Sequence, residues 1–469
     1  TSGAYRYKTR PWEMEHVGTI CAHCGDGCKT TLGVRNHEIV RANNRDRSGI
    51  NGEFLCIKGR YAFDFVRHAE RLQSPLMRVD AKFEPVSWSK ALAAAGQRFR
   101  DVLARGGRFG VIGSTRTTNE ENYYLQKLAR QALKTNNIDH HRSGDIVTLL
   151  KALGGRAGAM ATTADLYTTR AALVIGSDLA QQHPLLAFQL RANWRHHHAR
   201  VYVVTPGPVR EDQYGIFVRA PEGEEMTAVE SLARKLRGEP ELVILYGDSI
   251  RGNALLRLVA FADSLGIPVR YVCLMDASNS RGAMDMGLTP DLLPGYEAAR
   301  DPGLGLAEMP GAGLDVLWVV GANPLKGGAE LSPGTFVVVQ DMFLTETAEH
   351  AAIVLPAASA YEKSGTVTSA TGERQKLHKA LNVMGAKTDL EIFGLIARAL
   401  RADLGQASPD AVAAEIARTV RLSERIEAEA RPELIRSARD TLFTSGTLGR
   451  YSGVLNAVME APGRLYGEQ

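Results

Sequence analysis

Three cysteines crowd one loop and a fourth stands well downstream. Cys21, Cys24 and Cys28 lie in CAHCGDGC and Cys56 in NGEFLCIKGR, a C-x2-C-x3-C-x27-C spacing. Thiolates are the soft ligands that iron–sulphur clusters and zinc select. Structural zinc sites usually pair two short clips, because a tetrahedral ion accepts two knuckles. Here one loop offers three thiolates and a distant residue adds the fourth, which favours one [4Fe–4S] cluster. Zinc is the alternative. Disulfides are the weakest reading, since a chain of 469 residues builds a core without staples. The fifth cysteine, Cys273, sits in the apolar run VRYVCLM and reads as an inert buried side chain.

Other residues with chemical potential are less persuasive. His23, inside the cysteine loop, is expected beside the ligands or at the surface, with redox tuning as a secondary role. His196, His197 and His198 end a helical segment, where positive charge suits the dipole. His140 and His141 carry no ligand pattern. Asp341, Glu346, Glu349 and His350 follow a strand and read as caps for the next turn. No nucleophile elbow, P-loop or H-E-x-x-H is present.

The elements that must hold the thiols divide into three stretches. Residues 1–70 carry little apolar sequence, so a metal is expected to hold that unit together. From 71 to 380, strand-like runs at 109–112, 171–175, 201–204, 242–246, 269–272, 314–320 and 335–340 alternate with helical periods. That alternation predicts an α/β fold, a doubly wound parallel-sheet body in two lobes. Thr118 with Glu121 predicts a capping box, followed by an apolar face of Tyr124, Leu125, Leu128, Ala132 and Leu133. Residues 381–469 read as a helical extension. Thr388 with Glu391 starts one helix, and Ser408 followed by Pro409 starts another. After about 420 the sequence turns charged and is expected to pack on a partner or along the body.

The loops VIGSTR (111–116), VIGSDLAQQHP (174–184) and VVGANPLKGG (319–328) follow strands, where open sheets place nucleotides. None contains G-x-G-x-x-G, so a tight strand-to-loop turn is the favoured explanation of their glycines. Hydrophobic residues make 44% and charged ones 23%, and the net charge is only +4, which gives nucleic acid no basic field to bind. No apolar run approaches the roughly 18 residues of a membrane span, and no signal peptide opens the chain. Residue 1 is Thr, so the chain is expected to have been trimmed, processed or cut from something longer.

Together the cysteine loop, CIKGR, IGSDLAQQHP, VGANPL and QDMFLTETAEHAAIVLPAASAYEKSGTVTSATGERQ resemble the molybdopterin oxidoreductase superfamily, from about residue 12 to 380. TRPWEMEHVGTICAHC, GRYAFDFVRHAERLQSPLMR and SNSRGAMDMGLTPDLLPGY are similar, more narrowly, to the large iron–sulphur subunits of bacterial respiratory complex I. The resemblance implies one [4Fe–4S] cluster on Cys21, Cys24, Cys28 and Cys56, within an NADH:quinone oxidoreductase. It implies a molybdoenzyme-like scaffold without molybdopterin and with no independent active site. Partners would be other subunits of the peripheral arm, at the inner face of the plasma membrane. Such subunits normally also carry an amino-terminal ferredoxin-like section, whose cysteines this chain lacks.

Lys58 matches a lysine that lies between cluster and pterin in catalytic relatives. Those relatives place a metal-ligating side chain soon after the segment that reads TNNIDHH here; this chain continues RSGDIVTLL, offering only Ser143 or Asp145. They also continue into a β-barrel where this chain reads as helices. The alternative is a catalytic molybdenum or tungsten bis-pterin oxidoreductase of the formate dehydrogenase kind.

Overall fold

The computed structural model describes residues 3–422, 426 and 446–460. The thiols sit at the edge of a small antiparallel sheet of β1 (Glu15–Ile20), β2 (Lys29–Arg35) and β3 (Glu38–Asn43), in that spatial order. Behind it stand two larger sheets. The first is wholly parallel: β8 (Ala171–Ile175), β9 (Arg200–Thr205), β10 (Ile216–Arg219), β11 (Leu242–Tyr246) and β12 (Val269–Cys273), in the order β10-β9-β8-β11-β12. The second holds β6 (Phe109–Ile112), β7 (Ile138–Asp139), β13 (Val316–Val320), β14 (Phe336–Asp341) and β15 (Ile353–Pro356), all parallel. The antiparallel hairpin β4 (Leu76–Val79) and β5 (Lys82–Pro85) adds an edge to it, giving β5-β4-β15-β14-β13-β6-β7.

The fold is therefore α/β with doubly wound parallel sheets, as the alternation of strand and helix predicted. Strands such as LVILY and VLWVV are buried along their whole length because helices cover both faces. Alternate residues of β8 and β11 enter opposite cores: Leu173 and Ile244 one, Val174 and Val243 the other. The lobes are not sequential. The five-stranded lobe is inserted between β7 and β13 of the seven-stranded one, which strand spacing alone does not reveal. The helices Asp389–Ala399 and Pro409–Thr419, started by Thr388 and Ser408, bury Phe393, Ile396, Val412 and Ile416 in the same core as Phe99, Phe109 and Trp318.

The amino-terminal unit shares its core. Leu32, Val34 and Phe65 pack with Met342, Phe343 and Tyr361 from the body and with Leu448 and Tyr451 from the carboxyl-terminal helices. Ser452 Oγ donates to Asp64 at 2.6 Å, and Tyr451 stacks on Phe343. The charged stretch expected to pack on a partner or along the body falls largely at 427–445, outside the described residues.

A buried ion triad ties two helix starts together. Lys363 Nζ lies 2.9 Å from Glu121 and 2.6 Å from Asp389, all nearly without solvent contact, and Gln340 Nε2 donates to Asp389 at 2.6 Å. Burial pushes the Glu121 carboxyl upward against the pull of Lys363. Lys363→Met leaves two buried carboxylates unpaired and is expected to cost about 3–5 kcal/mol. Orphaned carboxylates take up protons readily, so in urea denaturation the deficit should shrink as pH falls from 8 to 5. A deficit that does not vary with pH would refute the charge argument.

Candidate metal centre

The cysteine loop turns out of β1 and returns into β2, closed by the Cys21 N–H to Cys28 carbonyl bond of 2.9 Å. Three parts of the body grip it. Cys24 bridges Ala277 in antiparallel fashion, and the Gly25 N–H donates to the Asp276 carbonyl at 2.8 Å. A Cβ on Gly25 would stand 2.0 Å from the Met275 carbonyl oxygen, so only glycine permits this approach. Arg116, from the loop after β6, donates to the carbonyls of Ala22 and His23 at 2.9 and 2.8 Å. Asp26 accepts from the Leu185 N–H at 2.9 Å and pairs with His183 Nδ1 at 2.6 Å, at the start of the helix Pro184–His197.

Cys56 arrives from the far side, immediately before the short helix Ile57–Tyr61. All five cysteines are unpaired, and Cys21, Cys24 and Cys28 are buried while Cys56 is half-buried. The four expected ligands are near enough to sense one another electrostatically. Burial pushes the Cys21 thiol up to about 12, with Cys56 adding to it. It raises Cys24 and Cys28 well above the ordinary thiol range, Asp26 adding to both, and raises Cys56 as well. Four such groups cannot all ionise unless positive charge enters among them, and the ferric and ferrous ions of a cluster supply it.

Lys58 is 2% exposed, and its charge pulls the Cys21, Cys24 and Cys56 thiols downward. Among the described residues its ammonium has no carboxylate partner. A buried cation that acts on three of the four thiols fits an anionic thiolate cluster. No group of three or more His, Cys, Asp or Glu among the described residues converges closely enough for a single metal ion.

The expected surface alternative for His23 is not realised: the ring is buried and Nε2 lies 2.9 Å from the Ala62 carbonyl oxygen. Burial, Lys58 and Arg116 hold it neutral, with a pKa down at about 3. His140 is likewise buried, against the Leu288 carbonyl, and His197 and His198 do end a helix. Asp341 accepts from the Met342 and Phe343 N–H groups as a local cap. Cys273 is fully buried in the five-stranded lobe, away from the other four. Ser143 and Asp145 are both bound to backbone. Ser143 Oγ accepts from the Asp276 N–H at 3.0 Å, and Asp145 accepts from Thr148 N at 3.1 Å and Gly252 N at 2.9 Å.

Asp26 and His183 were missed in the sequence. An acid inside CGDGC was the available signal; QQHP reads as a loop until the fold brings it to the cluster. At the carboxyl ends of β8, β9, β11 and β12 lies a cleft of about 420 Å³ edged by Asp178, Glu222, Glu225, Asp248 and Asp276. No Lys or Arg lines it.

The chain belongs to the molybdopterin oxidoreductase family: the molybdopterin oxidoreductase profile matches residues 71–214 and 223–399, and that of its Fe4S4 domain matches residues 14–68. Among its relatives are the G subunits of two bacterial NADH-quinone oxidoreductases. It is 29% identical to the second such protein of Rhizobium meliloti and 30% identical to that of Streptomyces coelicolor. Each match covers 89% of this chain and 57% of the relative, so the chain spans little more than half their length. It is also 30% identical to the alpha chain of F420-dependent formate dehydrogenase 1 of Methanococcus maripaludis, over 82% of this chain and 70% of that one. Acetylene hydratase from Pelobacter acetylenicus shares the fold, with a TM-score of 0.55 at 14% identity, covering 82% of this chain and 69% of that one.

His183 provides a pH-dependent clamp on the loop. Burial opposes its charge, but the Asp26 carboxylate and its hydrogen bond, with Asp276 beyond, raise it to about 9. A folded-state pKa above the ordinary 6.5 stabilises fully below that value and ceases to do so as pH rises through 9. The stability gap between wild type and His183→Gln should therefore be widest near pH 6, of order 3 kcal/mol, and close towards pH 9.5. A gap that widens with pH in urea titrations would refute the pair.

Proposed function

We propose that this chain is the cluster-bearing iron–sulphur subunit, or that portion of it, of a respiratory NADH:quinone oxidoreductase. Cys21, Cys24, Cys28 and Cys56 hold one [4Fe–4S] cluster, which supplies one-electron transfer when bound. The chain's own residues do the rest. Arg116, Asp26 and the 275–277 segment fix the ligand loop, Leu55 and Leu185 exclude water beside Cys21 and Cys28, and Lys58 balances thiolate charge. A fixed positive charge at that position raises the reduction potential of a cluster.

The observation that carries the non-catalytic reading is the fate of Ser143 and Asp145. The family resemblance puts a metal-ligating side chain in this stretch, and both candidates are committed to backbone N–H groups. The cleft supports the same reading, because a lining with five carboxylates and no Lys or Arg disfavours the pyrophosphate of a pterin dinucleotide. Partners on this reading are the other peripheral-arm subunits, with the chain attached through them to the inner face of the bacterial plasma membrane. Among the described residues no helix is long and apolar enough to cross a membrane.

The comparable identity to a formate dehydrogenase alpha chain keeps a second reading, a catalytic bis-pterin oxidoreductase. Elemental analysis of anaerobically purified protein separates the two. The complex I reading expects about four iron atoms per chain with neither molybdenum nor tungsten. Near-stoichiometric molybdenum or tungsten, with formate-dependent dye reduction, would replace it by the enzyme.

A further inference from the structure

Beside the cysteine loop runs an open groove of about 730 Å³. Its edges come from the loop after β3, from residues 51–60 and from the helix Pro184–His197. Phe54 and Phe188 stack in its wall, ring centroids 4.3 Å apart. On their other side both rings pack against the apolar group of Cys21, Cys28, Leu55 and Leu185. The groove is therefore separated from two ligand thiols only by a thin apolar wall.

Two cations in its lining are unanswered. Arg45 is exposed and Arg60 half-buried, and neither guanidinium has an ion pair or hydrogen bond among the described residues. The one carboxylate in the lining, Glu53, is engaged by Arg47 at 3.2 Å. Asn44 is 1% exposed, and its amide donates to the carbonyls of Ser48 and Gly52, which fixes its orientation. Its Oδ1 lacks any partner. Asn44 thus forms a fixed part of the groove wall.

We infer that this groove docks an acidic, extended segment of a protein that exchanges electrons with the cluster. Side-chain carboxylates of such a segment answer Arg45 and Arg60, and apolar side chains cover Phe54 and Phe188. The open shape suits a chain segment better than a small molecule, which sites usually enclose. Docking here sets the partner against the wall nearest Cys21 and Cys28. The redox role of the partner rests on the cluster reading above, while the binding chemistry does not.

The test uses the cluster-loaded protein and a fluorescein-labelled octapeptide of alternating Glu and Leu, with its Lys–Leu counterpart as control. The acidic peptide should bind, weaken steeply with salt, and lose about tenfold or more in affinity on Arg45→Glu with Arg60→Glu. Hydrogen exchange should show protection of residues 43–54 and 188–196. If the double variant misfolds, Arg45→Glu alone, on an exposed loop, carries the test. Equal binding by the variants, equal binding of the Lys–Leu peptide, no binding, or protection elsewhere would overturn the proposal. Displacement by equimolar inorganic phosphate would also overturn it, leaving a small-anion site. Iron content is measured in every sample, so loss of the cluster reading and loss of the groove are told apart.

Discussion

A cysteine withdrawn from water without a counter-charge keeps its proton and stays a thiol. Four such groups in one place keep the site neutral until metal arrives, and metal affinity is then coupled to deprotonation and to folding. Everything around the loop serves that exchange. Arg116 and the Asp276 carbonyl fix the backbone so that the sulphurs keep their places, and the Lys58 charge pulls Cys21, Cys24 and Cys56 downward. Asp26 works in the opposite sense. Its charge raises Cys24 and Cys28, so it is tolerable only because His183 and the Leu185 N–H absorb it.

Because the grip comes from the body, the amino-terminal unit is not a freestanding metal module. Phe65 packs with Tyr361 and Phe343, and Tyr361 also places its hydroxyl against the Cys21 sulphur. The expectation that a metal holds residues 1–70 together is thus only part of the account. Shared apolar contacts hold them to the body as well, and the carboxyl-terminal helices clasp them through Ser452 and Asp64.

The parallel sheets were legible because strands covered on both faces must be almost wholly apolar, as at 242–246 and 316–320. The four candidate ligand cysteines stand out in the sequence because thiol spacing is short-range chemistry. What stayed hidden depends on long-range geometry. The antiparallel hairpin at 76–85 reads as a polar connector until it meets β15, and β1 to β3 are too mixed in polarity to announce a sheet. The insertion of one lobe into the other leaves no local mark. Asp26 and His183 are 157 residues apart, and only the finished fold pairs them.

The segment that follows β12 also explains why the large scaffold cannot be pared away from the cysteine loop. Residues 274–277 leave β12 and form two boundaries at once. Leu274 and Asp276 edge the carboxylate-lined cleft, while the backbone of Asp276 and Ala277 carries Gly25 and Cys24. Ser143 holds the Asp276 N–H from behind, and the absence of a β-carbon at Gly25 lets the two strands meet. Removing the five-stranded lobe would strip the cysteine loop of its Met275–Ala277 backing and of His183 together. The cysteine loop and the sheets therefore stand or fall together, since the sheets are the wall against which that loop is folded.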